Sequence, residues 1–169
     1  KVTGTLFCDP WNQTTKKGGV LALIIGRSLE LTGNIDVSGR GFIGGNDAIG
    51  TGICWNTDPT TYGQDYYPSS FQNAGNKGEG VANYTEFDLP LLPNYAKGKG
   101  QNWTGGGGGN ARFSGGGGGS NRGAGGLGGK EDCFPPSPGG SGGLVADHPS
   151  LPERIYFGGG GGASTSLTG

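Results

Sequence analysis

Apolar and polar residues alternate strictly in one part of this chain. In SLELTGNIDVSGRGF (28–42), Leu29, Leu31, Ile35 and Val37 share one parity, and Glu30, Thr32, Asn34 and Asp36 the other. An extended backbone places the first set on one face and the second on the opposite face. Gly33-Asn34 interrupts the pattern and predicts a bend or a bulge. Upstream, GGVLALIIG (18–26) is a continuous apolar run between glycines. It is strand-sized, and its pattern predicts a strand buried on both faces. VTGTLF (2–7) is a third short β-rich stretch. No 3.6-residue periodicity competes anywhere, so almost no helix is expected.

After residue 43 the pattern dissolves. Residues 44–104 mix turn formers with Trp55, Tyr62, Tyr66, Tyr67 and Phe71, and prolines at 59, 68, 90 and 93 keep the backbone extended or turning. The stretch reads as a long insertion packed by its own aromatics, in the manner of an Ω-loop. Such loops commonly carry contact surfaces. These five aromatics are therefore the candidate contact residues for a sugar or protein surface. Packing of the loop on itself is the competing reading.

Residues 105–169 carry glycine in blocks. Fifteen of the twenty-five residues in GGGGGNARFSGGGGGSNRGAGGLGG (105–129) are glycine, and a third pentaglycine follows at 158–162. Each block has a polar or aromatic lead-in: NWT, RFS or IYF. A flexible linker would be built from glycine and serine, whereas Arg112, Phe113, Arg122 and Leu127 interrupt these blocks. The alternative is ordered structure. An extended helix of three residues per turn has no internal hydrogen bonds, and without side chains several can bond side by side. Glycine ordering costs about 0.5–1 kcal/mol per residue beyond alanine, an amount that interstrand bonds of about 1 kcal/mol each can offset.

Composition changes the picture only in places. The chain has 169 residues, 12 basic and 13 acidic, for a net charge of −1. That balance gives no electrostatic reason to expect nucleic acid or an anionic membrane, and no run approaches a membrane span. Low charge with three Trp, six Tyr and seven Phe argues against disorder. With no methionine present, the chain is expected to be a mature piece of a longer protein. Cys8, Cys54 and Cys133 form no CxxC pair. They leave open either one disulfide with a free thiol or three small buried hydrophobes.

Catalytic signals are weak. GAGGLG (123–128) fits a dinucleotide fingerprint only by being glycine-rich, with no preceding strand or following helix. His148 is the sole histidine and lies beside a proline, which supports no triad. Asp58, Asp65, Glu79, Glu86 and Asp88 are the carboxylates a glycosidase would need, but their scatter through loops favours solvated acids. Asp36, Asn46 and Asp47 are hard oxygen donors beside glycines, without the spacing of a calcium loop. No catalytic residue, metal or cofactor is expected, with calcium a minor alternative. Asn12, Asn83 and Asn102 open glycosylation sequons.

Four phrases stand in order: GGVLALIIGRSLELTGNIDVSGRGFIGG, GNKGEGVANY, the paired pentaglycines and PERIYFGGGGGAS. This series resembles a glycine-rich domain of large secreted and cell-surface proteins of Bacteroidota-type bacteria. Some of these are cargo of type IX secretion or are associated with gliding motility. The chain departs from that pattern by stopping at STSLTG, before the closing glycines and strand, and by an insertion over 46–74. Glycine bundles of related appearance occur in phage tail-tip adhesins and in the extracellular part of some receptor kinases. The resemblance implies an extracellular, non-enzymatic module that is structural or adhesin-like. Its partners would be a protein or glycan surface, or outer-membrane components of a secretion or motility complex. A carbohydrate-active or carbohydrate-binding domain is a further alternative.

The expected fold is mainly β with extended polyglycine-II-like helices. It forms a single domain over 1–169, with a β-rich part (1–43), an aromatic-rich insertion (44–104) and polyglycine segments (105–169).

Overall fold

A computed structural model describes residues 1–50, 52–81, 96–145 and 157–167. The chain divides into two compact units, Lys1–Phe42 and Ile43–Gly169.

The mainly-β expectation is corrected. Of the described residues, 5% are helical and 12% are in strand pairing. The sheet consists of two parallel two-residue strands, β1 (Ala48–Ile49) and β2 (Thr165–Ser166), with Ala48 opposite Thr165 and Ile49 opposite Ser166. One turn of helix, α1 (Pro59–Tyr62), follows a 3₁₀ turn at Trp55–Thr57.

The first unit is held by stacking at a constant register. Val2 pairs with Leu31 and Leu6 with Ile35, both in parallel, and the Trp11 N–H donates to Arg40 O at 2.8 Å. Gly33 lies against Gly4, where a Cβ would come within 2.2 Å of the Gly4 carbonyl oxygen. All four pairs are offset by 29 residues. The layer over residues 2–11 is thus the stretch 31–40, one coil further along. The Arg40 guanidinium stitches the two layers, donating to Cys8 O at 2.8 Å and lying 4.9 Å from the Phe7 ring centre. Trp11 meets Phe42 edge-on at 4.9 Å. None of these 42 residues is buried. Residues 20–25, expected as a strand buried on both faces, form no strand and are mostly exposed.

Among its described residues, the second unit has almost no hydrophobic core: those that are apolar and buried are four alanines (Ala48, Ala74, Ala111, Ala163) and Tyr67. Backbone fills the interior instead. Along 105–109, the N–H groups of Gly106, Gly107, Gly108 and Gly109 donate to Gly160, Ser141, Gly98 and Ala163 in turn, at 2.8–2.9 Å. Gly106 and Gly109, three apart, reach the same neighbouring segment at residues three apart. Their carbonyls accept from Gly78 and Gly75, again three apart on one segment. The rule recurs elsewhere: Gly115 and Gly118 donate to Gly129 and Gly126, Gly125 and Gly128 to Gly143 and Gly140, and Gly159 and Gly162 to Ser120 and Gly117. Every third residue thus returns to the same neighbour, the repeat of an extended chain with three residues per turn.

Glycine is required here for closeness. None of the glycines in these blocks adopts a left-handed φ. A Cβ on Gly106, Gly107, Gly108 or Gly109 would lie 2.0–2.1 Å from a carbonyl oxygen of a neighbouring segment. At Gly123, Gly126 and Gly129 a Cβ would meet nothing within 4 Å. These three form the outward row at the rim of the bundle.

Candidate contact surface

The aromatic loop is fastened to the glycine framework at several points. α1 forms because Asp58 caps it. Asp58 Oδ1 accepts the N–H groups of Thr60 and Thr61 at 3.1 Å, and the two threonine hydroxyls donate to the same carboxylate. Pro59 occupies the first helical position, where no N–H is needed. Hydrogen bonds from the Thr60 and Thr61 side chains hold the Asp58 carboxyl down at about 2, so it is spent as an ionised cap. The turn ends where the Gly63 N–H donates to Pro59 O at 2.9 Å. Trp55 packs onto Gly63, where a Cβ would lie 2.5 Å from the indole nitrogen.

Next to Trp55, Cys54 is joined to Cys133 by a disulfide spanning 79 residues, and Cys8 is free. Buried Glu131 reinforces the junction. Its carboxylate accepts the Trp55 N–H through one oxygen and the Ser137 N–H through the other, each at 3.1 Å. Asn56 Nδ2 donates to Phe134 O at 2.6 Å. Further along, Asn110, at the end of the first pentaglycine, donates to Gln64 O at 2.7 Å and Tyr62 O at 3.3 Å.

The five aromatics named from sequence divide by role. Tyr67 is buried, with 4% of its surface exposed, and stacks on Phe71 at 4.0 Å with an interplanar angle of 6°. Its hydroxyl donates to Thr61 O at 2.5 Å and accepts the Gln64 N–H at 2.9 Å. Burial pushes that hydroxyl up to about 12. Tyr62 leans on Phe71 at 6.1 Å. Trp55, Tyr62, Tyr66 and Phe71 are half-buried and reach solvent. Tyr66 covers a buried cation: Lys77 Nζ lies 4.3 Å from its ring centre. The Lys77 ammonium donates to the carbonyls of Asp65 (2.5 Å), Gly98 (3.0 Å) and Gly100. Burial pushes its amine down to about 7. Lys77 thus gathers three carbonyls that have no helix or sheet to enter.

Sequence reasoning passed over two further aromatics. Trp103 and Phe113 are about half exposed, at 49% and 44%. Both hold left-handed φ values, 49° and 51°, a conformation that bulky residues rarely take. They sit in the NWT and RFS lead-ins, where the chain turns into a pentaglycine, and that shared position was the available signal.

The remaining candidates find other places. Glu79 Oε2 accepts the Ile43 N–H at 3.1 Å. Asp36 belongs to the first unit and caps a local turn at Ser38, at 2.9 Å. Asp47, in the second unit, accepts from Ser164 Oγ at 3.3 Å. Asn102 is buried and donates to Gly78 O at 3.4 Å. Glu86, Asp88, Asn83 and His148 lie outside the described residues. Among the described residues there is no group of three His, Cys, Asp or Glu placed to hold a metal, and no helix long and apolar enough to cross a membrane.

Comparison with protein-family models, curated proteins and solved structures finds no match. The family resemblance rests on the ordered sequence phrases alone.

Proposed function

We propose that this chain is a non-enzymatic extracellular module, a stiff glycine framework that presents an aromatic loop to a protein or glycan surface. The observation that carries this reading is the Cys54–Cys133 disulfide. Disulfides persist in oxidising compartments, which supports a secreted or cell-surface location. This one also anchors the contact loop beside Trp55, so the loop meets a partner without first being ordered, and pre-ordering strengthens binding. Trp55, Tyr62, Tyr66 and Phe71 are the contact residues, with Tyr67 as their internal support. The resemblance to secreted and surface proteins points the same way.

The test is binding of the intact protein to a glycan array and to cells. Trp55→Ser and Tyr62→Ser should each lower binding while leaving the thermal midpoint within a few degrees. Unchanged binding in both variants would remove the contact assignment. Co-purification of the native protein with outer-membrane components, without free binding, would instead favour a subunit of a secretion or motility assembly.

A further inference from the structure

The first unit exposes its most apolar segment. Ile24 is fully exposed, and Val20, Leu23, Ile25, Leu29 and Leu31 each keep about two-fifths to half of their surface. Together they expose about as much surface as three whole residues, near the top of the roughly 300–600 Å² that the largest apolar patch of a monomer covers. It approaches the ~800 Å² that each partner contributes to a stable interface. Among the described residues, no backbone group of 20–29 takes part in a backbone hydrogen bond. Residues 20–26 carry no charge.

The 29-residue register explains the exposure. Residues 2–11 are covered by 31–40, one coil further on. The stretch that would cover 20–29 by the same rule is 49–58. That stretch belongs to the second unit, where Ile49 pairs with Ser166 and Trp55–Thr57 form a 3₁₀ turn. The coil is therefore layered on one side and single on the other. End-to-end stacking of copies in this register does not repair it. Setting 31–35 of one copy against 2–6 of the next leaves a missing layer beside every 20–25 segment. Only a contact that brings the single layers together covers them.

We infer that residues 20–31 form a self-association surface occupied by the same segment of a second copy, across a two-fold axis. Its central residues 20–26 carry no charge and its two charged residues, Arg27 and Glu30, are of opposite sign, so the segment meets itself without net like-charge repulsion. A two-fold contact closes, so it yields a dimer and not a fibre. It also removes an open apolar edge, which would otherwise be an aggregation hazard.

Sedimentation equilibrium of the full chain tests this. The wild type should give twice its 17.0 kDa at micromolar concentration. Ile24→Lys places a charge on a side chain with no internal contact to lose, and should weaken association about tenfold or more with an unchanged thermal midpoint. Leu127→Lys, at an exposed site in the second unit (79%), should leave the dimer intact. A wild type that remains at 17.0 kDa overturns the proposal, as does a dimer indifferent to Ile24→Lys. A concentration-dependent ladder beyond the dimer overturns the two-fold arrangement.

Discussion

Two glycine-to-alanine changes in the second unit should move stability in opposite directions. At Gly107 a Cβ would lie 2.0 Å from Lys99 O and 2.9 Å from Gly100 O, both fixed backbone atoms. Ordinary contact needs about 3.4 Å or more, so neighbouring segments must part by more than an ångström. Gly107 donates to Ser141 and accepts from Gly117, and adjacent Gly108 donates to Gly98, each at 2.8 Å. Two or three such bonds at about 1 kcal/mol each, with about 1–3 kcal/mol of overpacking, give a cost of about 3–6 kcal/mol. That is a large share of the roughly 5–15 kcal/mol that holds a typical domain. At Gly126 the same methyl enters open space and the φ is not left-handed. Stiffening of the unfolded chain then dominates, and Gly126→Ala should stabilise by about 0.4–1 kcal/mol. Urea unfolding followed by tryptophan fluorescence measures both, with amide exchange at Gly108 as a local report. Equal effects, or a cost below about 1 kcal/mol at Gly107, would refute the claim that close backbone approach dictates glycine here.

Two further outcomes follow from the loop anchors. Lys77→Met removes the donor shared by three carbonyls, of which Asp65 O and Gly98 O keep the N–H groups of Gly100 and Gly108, and should cost about 1–3 kcal/mol. The Lys77 amine is pushed down to about 7 from 10.5, so between those values the unfolded chain holds a proton the folded chain lacks. Wild-type stability relative to Lys77→Met should therefore rise as pH increases from 7 to 10 and be flat below 7. A difference in urea midpoint that does not vary with pH would contradict this. Reduction of Cys54–Cys133 opens a loop of 79 residues and should cost about 4.5 kcal/mol on the loop-entropy account, measured as a lower thermal midpoint in dithiothreitol.

How much of this could be read in the sequence depended on where the partners lie. The aromatics of 62–71 are close along the chain, and their packing on one another needed no distant information. Which of the adjacent pair would turn inward did not show, because Tyr66 and Tyr67 are identical and the Thr61 carbonyl and Gln64 N–H that hold the Tyr67 hydroxyl are backbone groups, which any residue would supply. The apolar run 20–25 has the composition of a buried strand. It is exposed because burial requires a layer above it, and the register that supplies such layers has only one and a half turns in which to appear. Glycine carries no side chain to mark a partner: nothing in Gly106 or Gly109 designates Gly160 or Ala163, more than fifty residues on. The disulfide partner of Cys54 was hidden for the same reason. Glu131 and Ser137, which hold Cys133 beside Trp55, have no signature of their own.

The three-residue return of hydrogen bonds gives the glycine blocks a reading frame. Each residue along such a segment turns its donor by about 120°. Removing one residue inside a block would redirect every later donor to the wrong neighbour, and removing two would do the same in the opposite sense. Removing three restores the phase and shortens the segment by about 9 Å. Natural length variants of these blocks should therefore differ in multiples of three, unless a lead-in such as NARFS absorbs the slip.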